Sequence, residues 1–375
     1  MANESSSLQT LVLVGGGHSH AIFLSKLLKR KRAGFKIILI SDDEVMAYSG
    51  ALPGQIAGFY GPDEIFIRVK ELALANQAQF REDKVASIDF DLKIVKTFTG
   101  CEISYDVLSL NCGARPELSH IRGAAQFAVP LKPTLDFIAR YEEFLVRAQQ
   151  KNSVQIVQIG GGIGGVECAV AFAKRTGELK IKSKITLLES GRELLPSHPP
   201  AVRKEVRNML AEFGVEVIMG EKAVEMTATQ LVTASGRVLS YDFAALATPA
   251  KTEAWVKELG LHHFEGFIQI NEFLETSRPK VFACGDVAQN PQHPLPRAGV
   301  YAVRQADVLF ENLLASLNGR ELSEYRPQKD YLTLISDSHG RAIASRGQLY
   351  FHRSRAMFWL KDWIDRGFVR KLNQF

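Results

Sequence analysis

Residues 154–167 read VQIVQIGGGIGGVE, and this stretch decides the fold. A short apolar strand ends at Ile159. Gly160, Gly162 and Gly165 follow at G-x-G-x-x-G spacing, and then an apolar helical run begins (Val166, Ala169, Val170, Phe172, Ala173). Gly160 lets the chain turn sharply without a Cβ clash. Gly162 lets the backbone approach a pyrophosphate, and Gly165 lets the helix sit close to the strand. The helix start offers unpaired N–H groups and a partial positive charge to phosphates. A second strand, KITLL, then leads to Glu189, a carboxylate placed for the hydroxyls of an adenosine ribose. Glycines alone are a weak signal, whereas strand, glycines, helix, strand and acid in that order point strongly to a dinucleotide site.

The same theme opens the chain in degenerate form. LVLV runs into Gly15, Gly16 and Gly17, then His18, Ser19 and His20, so His20 stands at the third glycine position. A helix follows, with Lys29 to Arg32 at its C-terminal end, where cations suit the dipole. The next strand, FKIILI, is followed by Ser41 in the place Glu189 holds later. Asp42 stands one residue on and is the alternative ribose ligand. The loop from Met46 to Tyr60, MAYSGALPGQIAGFY, is rich in small residues and carries Pro53; it suits close packing on a flat ring. YDVLSLNCGA, ending near Gly113, is echoed by YDFAALATPA. Each half therefore runs glycine-rich βαβ, antiparallel strands, then a Tyr-Asp strand, which is an internal duplication of a mononucleotide-binding unit. Late in the chain, PKVFACGD ends at Gly285 and Asp286, and a helix is expected from near Ala298. An Asp there suits a polyol hydroxyl.

Composition bounds the function. The 375 residues are 46% hydrophobic, enough for two or three domains with sizeable cores. A formal charge of +5 is too mild for a dedicated nucleic-acid binder. No signal-peptide core or membrane-length apolar run is present, so a cytoplasmic chain is expected. Four cysteines, Cys101, Cys112, Cys168 and Cys284, form no C-x-x-C pair. They are expected to be buried small residues, and no metal site is expected. From Arg353 the tail is basic and aromatic, with Met357, Leu360, Ile364 and Phe368 on one helical stripe and Trp359 and Trp363 at its edge. Such a helix suits a membrane interface, or packing on its own chain or on a second copy in a homodimer.

These motifs together resemble the pyridine nucleotide–disulfide oxidoreductase superfamily, over nearly the whole chain. The resemblance implies an α/β fold with two Rossmann-like domains and a small C-terminal α+β extension. It places an FAD domain at 10–125 and 267–322, an NAD(P)H domain at 126–266 and the extension at 323–375. It implies FAD at Gly15, Gly17, His18, Ser41, Asp42, Pro53, Gly113, Gly285, Asp286 and Ala298, with Asp286 on the ribityl chain. It implies NAD(P)H at Gly160, Gly162, Gly165 and Glu189, and NADH is favoured because Glu189 repels a 2′-phosphate. No cysteine pair follows the second strand, so a disulfide reductase is not expected. GGGHSH, YSGALPGQIAGFY and WLKDWIDRGFVRKL are similar to type II NADH dehydrogenase-like flavoproteins, close to the branch sometimes fused to selenide, water dikinase. In that group the Glu after the second glycine motif lies near flavin and quinone, and Glu167 matches it as the catalytic candidate. The implied reaction is hydride transfer from NAD(P)H to FAD, then electrons to a quinone, at the inner face of a membrane. The alternatives are a sulfide:quinone oxidoreductase-like enzyme and a non-catalytic nucleotide-binding module.

Overall fold

The computed structural model describes residues 8–30 and 34–375. The N-terminal MANESSS and the Lys31–Arg32 part of the basic cluster lie outside the described residues. The first unit begins with β1 (Gln9–Val14), α1 (His18–Leu27), β2 (Phe35–Ser41), β3 (Gln79–Glu82) and β4 (Val107–Leu110). The second contains β5 (Val129–Pro130), α2 (Thr134–Ala148), β6 (Val154–Ile159), α3 (Ile163–Glu178), β7 (Ser183–Glu189), α4 (Pro200–Glu212), β8 (Val215–Met219) and β9 (Phe243–Leu246). The chain then returns through β10 (Val281–Ala283) and α5 (Gly299–Leu317). It ends in β11 (Thr333–Ser336), β12 (Ala342–Arg346), β13 (Leu349–Ser354) and α6 (Arg355–Leu372).

The two parallel sheets have matching orders, β10-β4-β1-β2-β3 and β5-β9-β6-β7-β8. The central strands are apolar on both faces because both are covered, in the second unit by helices on one side and by the antiparallel meander on the other; Leu11, Val12 and Leu13 are fully buried. A three-stranded antiparallel meander precedes β4 in the first unit and β9 in the second, at Val85–Ser104 and Ala223–Ser240. The Tyr-Asp echo has a physical cause. Asp106 Oδ2 accepts from the N–H of Thr10 at 2.7 Å, and Asp242 Oδ2 from that of Gln155 at 2.7 Å. In each unit the acid satisfies an amide at the start of the central strand.

The C-terminal residues form a small antiparallel sheet, β11-β12-β13, with α6 packed on it and reaching back to α1. Ser354 caps α6 by accepting from the Met357 N–H. The inward face differs from the expected stripe. Asp365, Val369 and Leu372 are buried, with Phe368 beside them, while Ile364 is exposed. The stripe is rotated because Lys361 and Asp365, which interrupt it in sequence, pair with each other inside. The cysteine expectation also needs correction. Cys168 and Cys284 are buried, but Cys101 lies in an exposed turn and Cys112 opens onto the cavity described next.

Candidate functional site

A cavity of about 390 Å³ lies at the C-terminal ends of β1, β2 and β4, where ligands bind in doubly wound sheets. Gly15, Gly17, His18, Ser41, Asp42, Gly113, Gly285 and Asp286 line it. Gly15 has φ +91°, and a Cβ there would lie 2.6 Å from the Asn111 carbonyl oxygen; one on Gly17 would lie 2.3 Å from Asn111 Oδ1. This cradle is bare backbone at the start of a helix, which fits the diphosphate of a dinucleotide. Ala298 is the N-cap of α5 and lines a smaller neighbouring pocket; Gly299 lines the main cavity instead. Pro53, expected to touch the cofactor, is instead buried in the short helix Leu52–Ile56 and is not among the residues that line the cavity.

Asn111 was not anticipated. It ends β4, where the second unit has Ala247, and that break in the echo is the signal that identifies it. Its Oδ1 accepts from the N–H of Ser19 at 3.1 Å and of His20 at 3.4 Å, and its Nδ2 donates to the Cys284 carbonyl at 2.8 Å. It thus ties the glycine loop to the turn that carries Asp286.

His20 explains the degenerate glycine pattern. In the second unit a Cβ on Gly165 would meet the Gly160 carbonyl oxygen at 1.9 Å. In the first unit the His20 ring bonds the equivalent carbonyl: Nδ1 lies 2.7 Å from Gly15 O and Nε2 lies 2.8 Å from Ser109 Oγ. Burial holds its pKa down at about 4, so the ring is neutral, with Nδ1–H donating and Nε2 accepting. A depressed histidine stabilises the fold above its unfolded pKa and loses that contribution as pH falls from 6.5 toward 4. His20→Ala should lower stability by about 1–3 kcal/mol at pH 7, because two buried partners lose their bonds. The difference from wild type should shrink as pH falls through that window. Denaturant unfolding at pH 7.5 and pH 5 checks both.

Around the second glycine loop, Gly160 has φ +96° and a Cβ would lie 2.3 Å from the Ala247 carbonyl oxygen. A Cβ on Gly162 would meet nothing within 4 Å, so its backbone faces open space where a diphosphate can approach. Glu189 is held by two amides: Oε2 accepts from the Gly161 N–H at 2.6 Å and Oε1 from the Gly191 N–H at 2.6 Å. The carboxylate is fixed beside the loop rather than free to swing away.

Glu167 sits in the first turns of α3 and is buried at 5% exposure, outside the lining of the main cavity. Its Oε1 accepts from the Ser336 N–H at 2.8 Å. Burial raises its pKa to about 7, against the pull of Lys361 and the Ser336 amide, with Asp365 adding to the rise. Lys361 Nζ lies 2.9 Å from Asp365 Oδ2 and donates to the Gly50 carbonyl at 3.0 Å. Asp365 also bonds Tyr48, whose ring lies 4.9 Å from Phe368 and 5.7 Å from His18 at the cavity. Glu167 is thus linked toward the cavity by groups from α6 and the Met46–Tyr60 loop. Sequence spacing cannot bring together residues 48, 167 and 361.

Also in the cavity lining, Lys132 Nζ lies 2.7 Å from Asp286 Oδ2. Burial alone would raise the Asp286 pKa. The Lys132 ammonium, with His18 and Arg297, holds it below the usual carboxylate value.

The demethylphylloquinone reductase NdbB of Synechocystis sp. is 25% identical, over 87% of this chain and 85% of its own. In fold, the chain resembles the sulfide:quinone oxidoreductase of Aquifex aeolicus, with a TM-score of 0.82, 16% identity and coverage of 97% and 91%. It also resembles NDH2 of Plasmodium falciparum, solved with NADH, with a TM-score of 0.80, 13% identity and coverage of 95% and 97%. The family model described as pyridine nucleotide-disulphide oxidoreductase matches residues 9–306, and the chain belongs to that family.

Proposed function

We propose that this protein is an FAD-dependent NAD(P)H dehydrogenase that passes electrons to a quinone. The observation that carries the proposal is the pairing of two dinucleotide cradles with the buried cluster that Glu167 forms with Lys361 and Asp365 of the C-terminal helix. The quinone is supported by the relative named as a demethylphylloquinone reductase. Bound FAD supplies the chemistry, accepting a hydride from the nicotinamide and releasing electrons to the acceptor. The protein binds, orients and manages protons. The first cradle and Asp286 hold FAD, the second cradle and Glu189 hold the pyridine nucleotide, and Glu167, half protonated near neutral pH, moves a proton. The test is anaerobic addition of NADH to the yellow protein: the flavin band should bleach and should return when a quinone is added. Sulfide without NADH should leave the band unchanged, because a sulfide:quinone oxidoreductase needs more than one cysteine facing the flavin, and here Cys112 alone lines the cavity while Cys168 and Cys284 are buried in separate units and Cys101 lies outside it.

The fixed Glu189 carboxylate accepts from free ribose hydroxyls and repels a 2′-phosphate, so NADH is the preferred donor. The expected preference in kcat/KM over NADPH is about ten-fold or more, and Glu189→Ala should narrow it. Equal efficiency with both donors in the wild type would count against the assignment.

The tail packs inward and presents a second face outward. Trp359 and Trp363 are 68% and 74% exposed, and the exposed Arg355 and Arg370 lie on the same stripe. This face suits the headgroup region of an anionic bilayer on the cytoplasmic side, where the enzyme meets its quinone. Among the described residues no helix is long and apolar enough to cross a membrane. Replacing both tryptophans by serine should abolish co-sedimentation with anionic vesicles while leaving NADH bleaching intact. Truncating the tail is a poor test, because it also removes Lys361, Asp365, Val369 and Leu372.

A further inference from the structure

Ser41 stands where the second unit has the ribose-binding acid, so the adenosine end of the first site needs another source of affinity. The rim of the cavity at that end is a connected chain of side chains. Lys84 Nζ lies 3.7 Å from Asp42 Oδ2, and the same oxygen lies 3.9 Å from Arg115 Nη2. Arg115 Nε is paired with Glu253 Oε1, and Glu253 Oε2 accepts from Trp255 Nε1 at 3.1 Å. All five residues line the cavity, and so does Phe98. Trp255 comes from the short helix Ala254–Lys257, just after the chain leaves the second unit, and is half-buried against the first core. Phe98 follows the strand Ile94–Thr97 and is 70% exposed, with its N–H tied to the Lys84 carbonyl at 2.9 Å.

We propose that Trp255 and Phe98 are the adenine-holding residues of the FAD site. In this arrangement the Arg115–Glu253 ion pair orients the indole, and Asp42, braced by Lys84 and Arg115, meets the ribose. Two features carry the assignment. An exposed phenylalanine at the wall of a nucleotide cavity leaves an aromatic face without a partner, and a purine supplies one. The indole is fixed by its one polar atom, so its orientation is set before the cofactor arrives, which limits the ordering cost of binding. The departure at Ser41 is thereby offset by stacking rather than by a carboxylate. The proposal rests on FAD being the cofactor of the first unit.

The test compares FAD with FMN, which shares the flavin and ribityl phosphate but lacks adenosine. Dissociation constants of both are measured by flavin fluorescence on the full-length protein and its variants. Phe98→Ser and Trp255→Ala should each weaken FAD about ten-fold while leaving FMN within about two-fold, and Trp255→Phe should bind FAD nearly as the wild type does. Phe98 is exposed, so its replacement keeps the proposal testable even where Trp255→Ala folds poorly. Unchanged FAD binding in Phe98→Ser and Trp255→Ala overturns the proposal, as does an equal loss of FAD and FMN. A wild type that binds neither flavin would instead overturn the cofactor assignment beneath it.

Discussion

Asp286→Ala protein is expected to leave purification nearly colourless. Asp286 lies at the turn after β10, at 14% side-chain exposure, inside the cavity that holds the glycine cradle. Its charge is maintained by Lys132 in direct contact, with His18 and Arg297 nearby. A hydrogen bond to an ionised group contributes about 1.5–3 kcal/mol, so losing the carboxylate should weaken FAD by roughly ten- to a hundred-fold. Asp286→Asn keeps the shape and removes the charge, so it isolates the contribution of the charge. The ratio of flavin to protein absorbance after gel filtration reads the outcome. A fully yellow and active Asp286→Ala protein would sink the assignment.

Glu167→Gln should change the pH dependence of quinone reduction as well as its rate. The carboxyl is fully enclosed, and burial places its pKa near 7 rather than in the usual carboxylate range. Serving as the proton donor requires its protonated form, which dominates below that value. Wild-type kcat with a quinone should therefore fall as pH rises through about 7. The glutamine variant should lack that alkaline limb and run about a hundred-fold slower, the lower part of the range for a positioned acid. Anaerobic bleaching by NADH should be much less affected, because hydride transfer to the flavin needs no proton from this group. Lys361→Met provides a second reading. Without the ammonium between them, Glu167 and Asp365 face each other as two carboxyls, and the limb should move to higher pH. Steady-state kinetics from pH 5.5 to 9 with saturating NADH would show both effects. An unchanged profile in Glu167→Gln would remove Glu167 from proton transfer.

Much of the architecture was legible because it depends on local pattern. Both glycine loops, the strands that lead into them and the repeated Tyr-Asp strand are each short and continuous, and backbone geometry dictates their residue types. The tail was misread in rotation because Lys361 and Asp365 look polar and outward in sequence. Folded, they satisfy each other and the Gly50 carbonyl, so that face can be buried. Cys112 was misplaced for a related reason: the end of an apolar strand gives no sign that it opens onto a cavity.

The sequence by itself determined that two mononucleotide-binding units are present, and in what order. A glycine whose Cβ would overlap the facing backbone, as at Gly15 and Gly160, leaves no room for a side chain, and a parallel strand buried on both faces must be largely apolar. Only the tertiary structure decided which distant groups meet. Lys132 reaches Asp286 across the two units, Asn111 joins the glycine loop to the Asp286 turn, and Lys361 approaches Glu167. These groups are 154, 92 and 173, and 194 residues apart respectively, and no local periodicity encodes such a contact. Their charges and pKa values follow from burial beside one another, which exists only once the sheets and the C-terminal helix have packed.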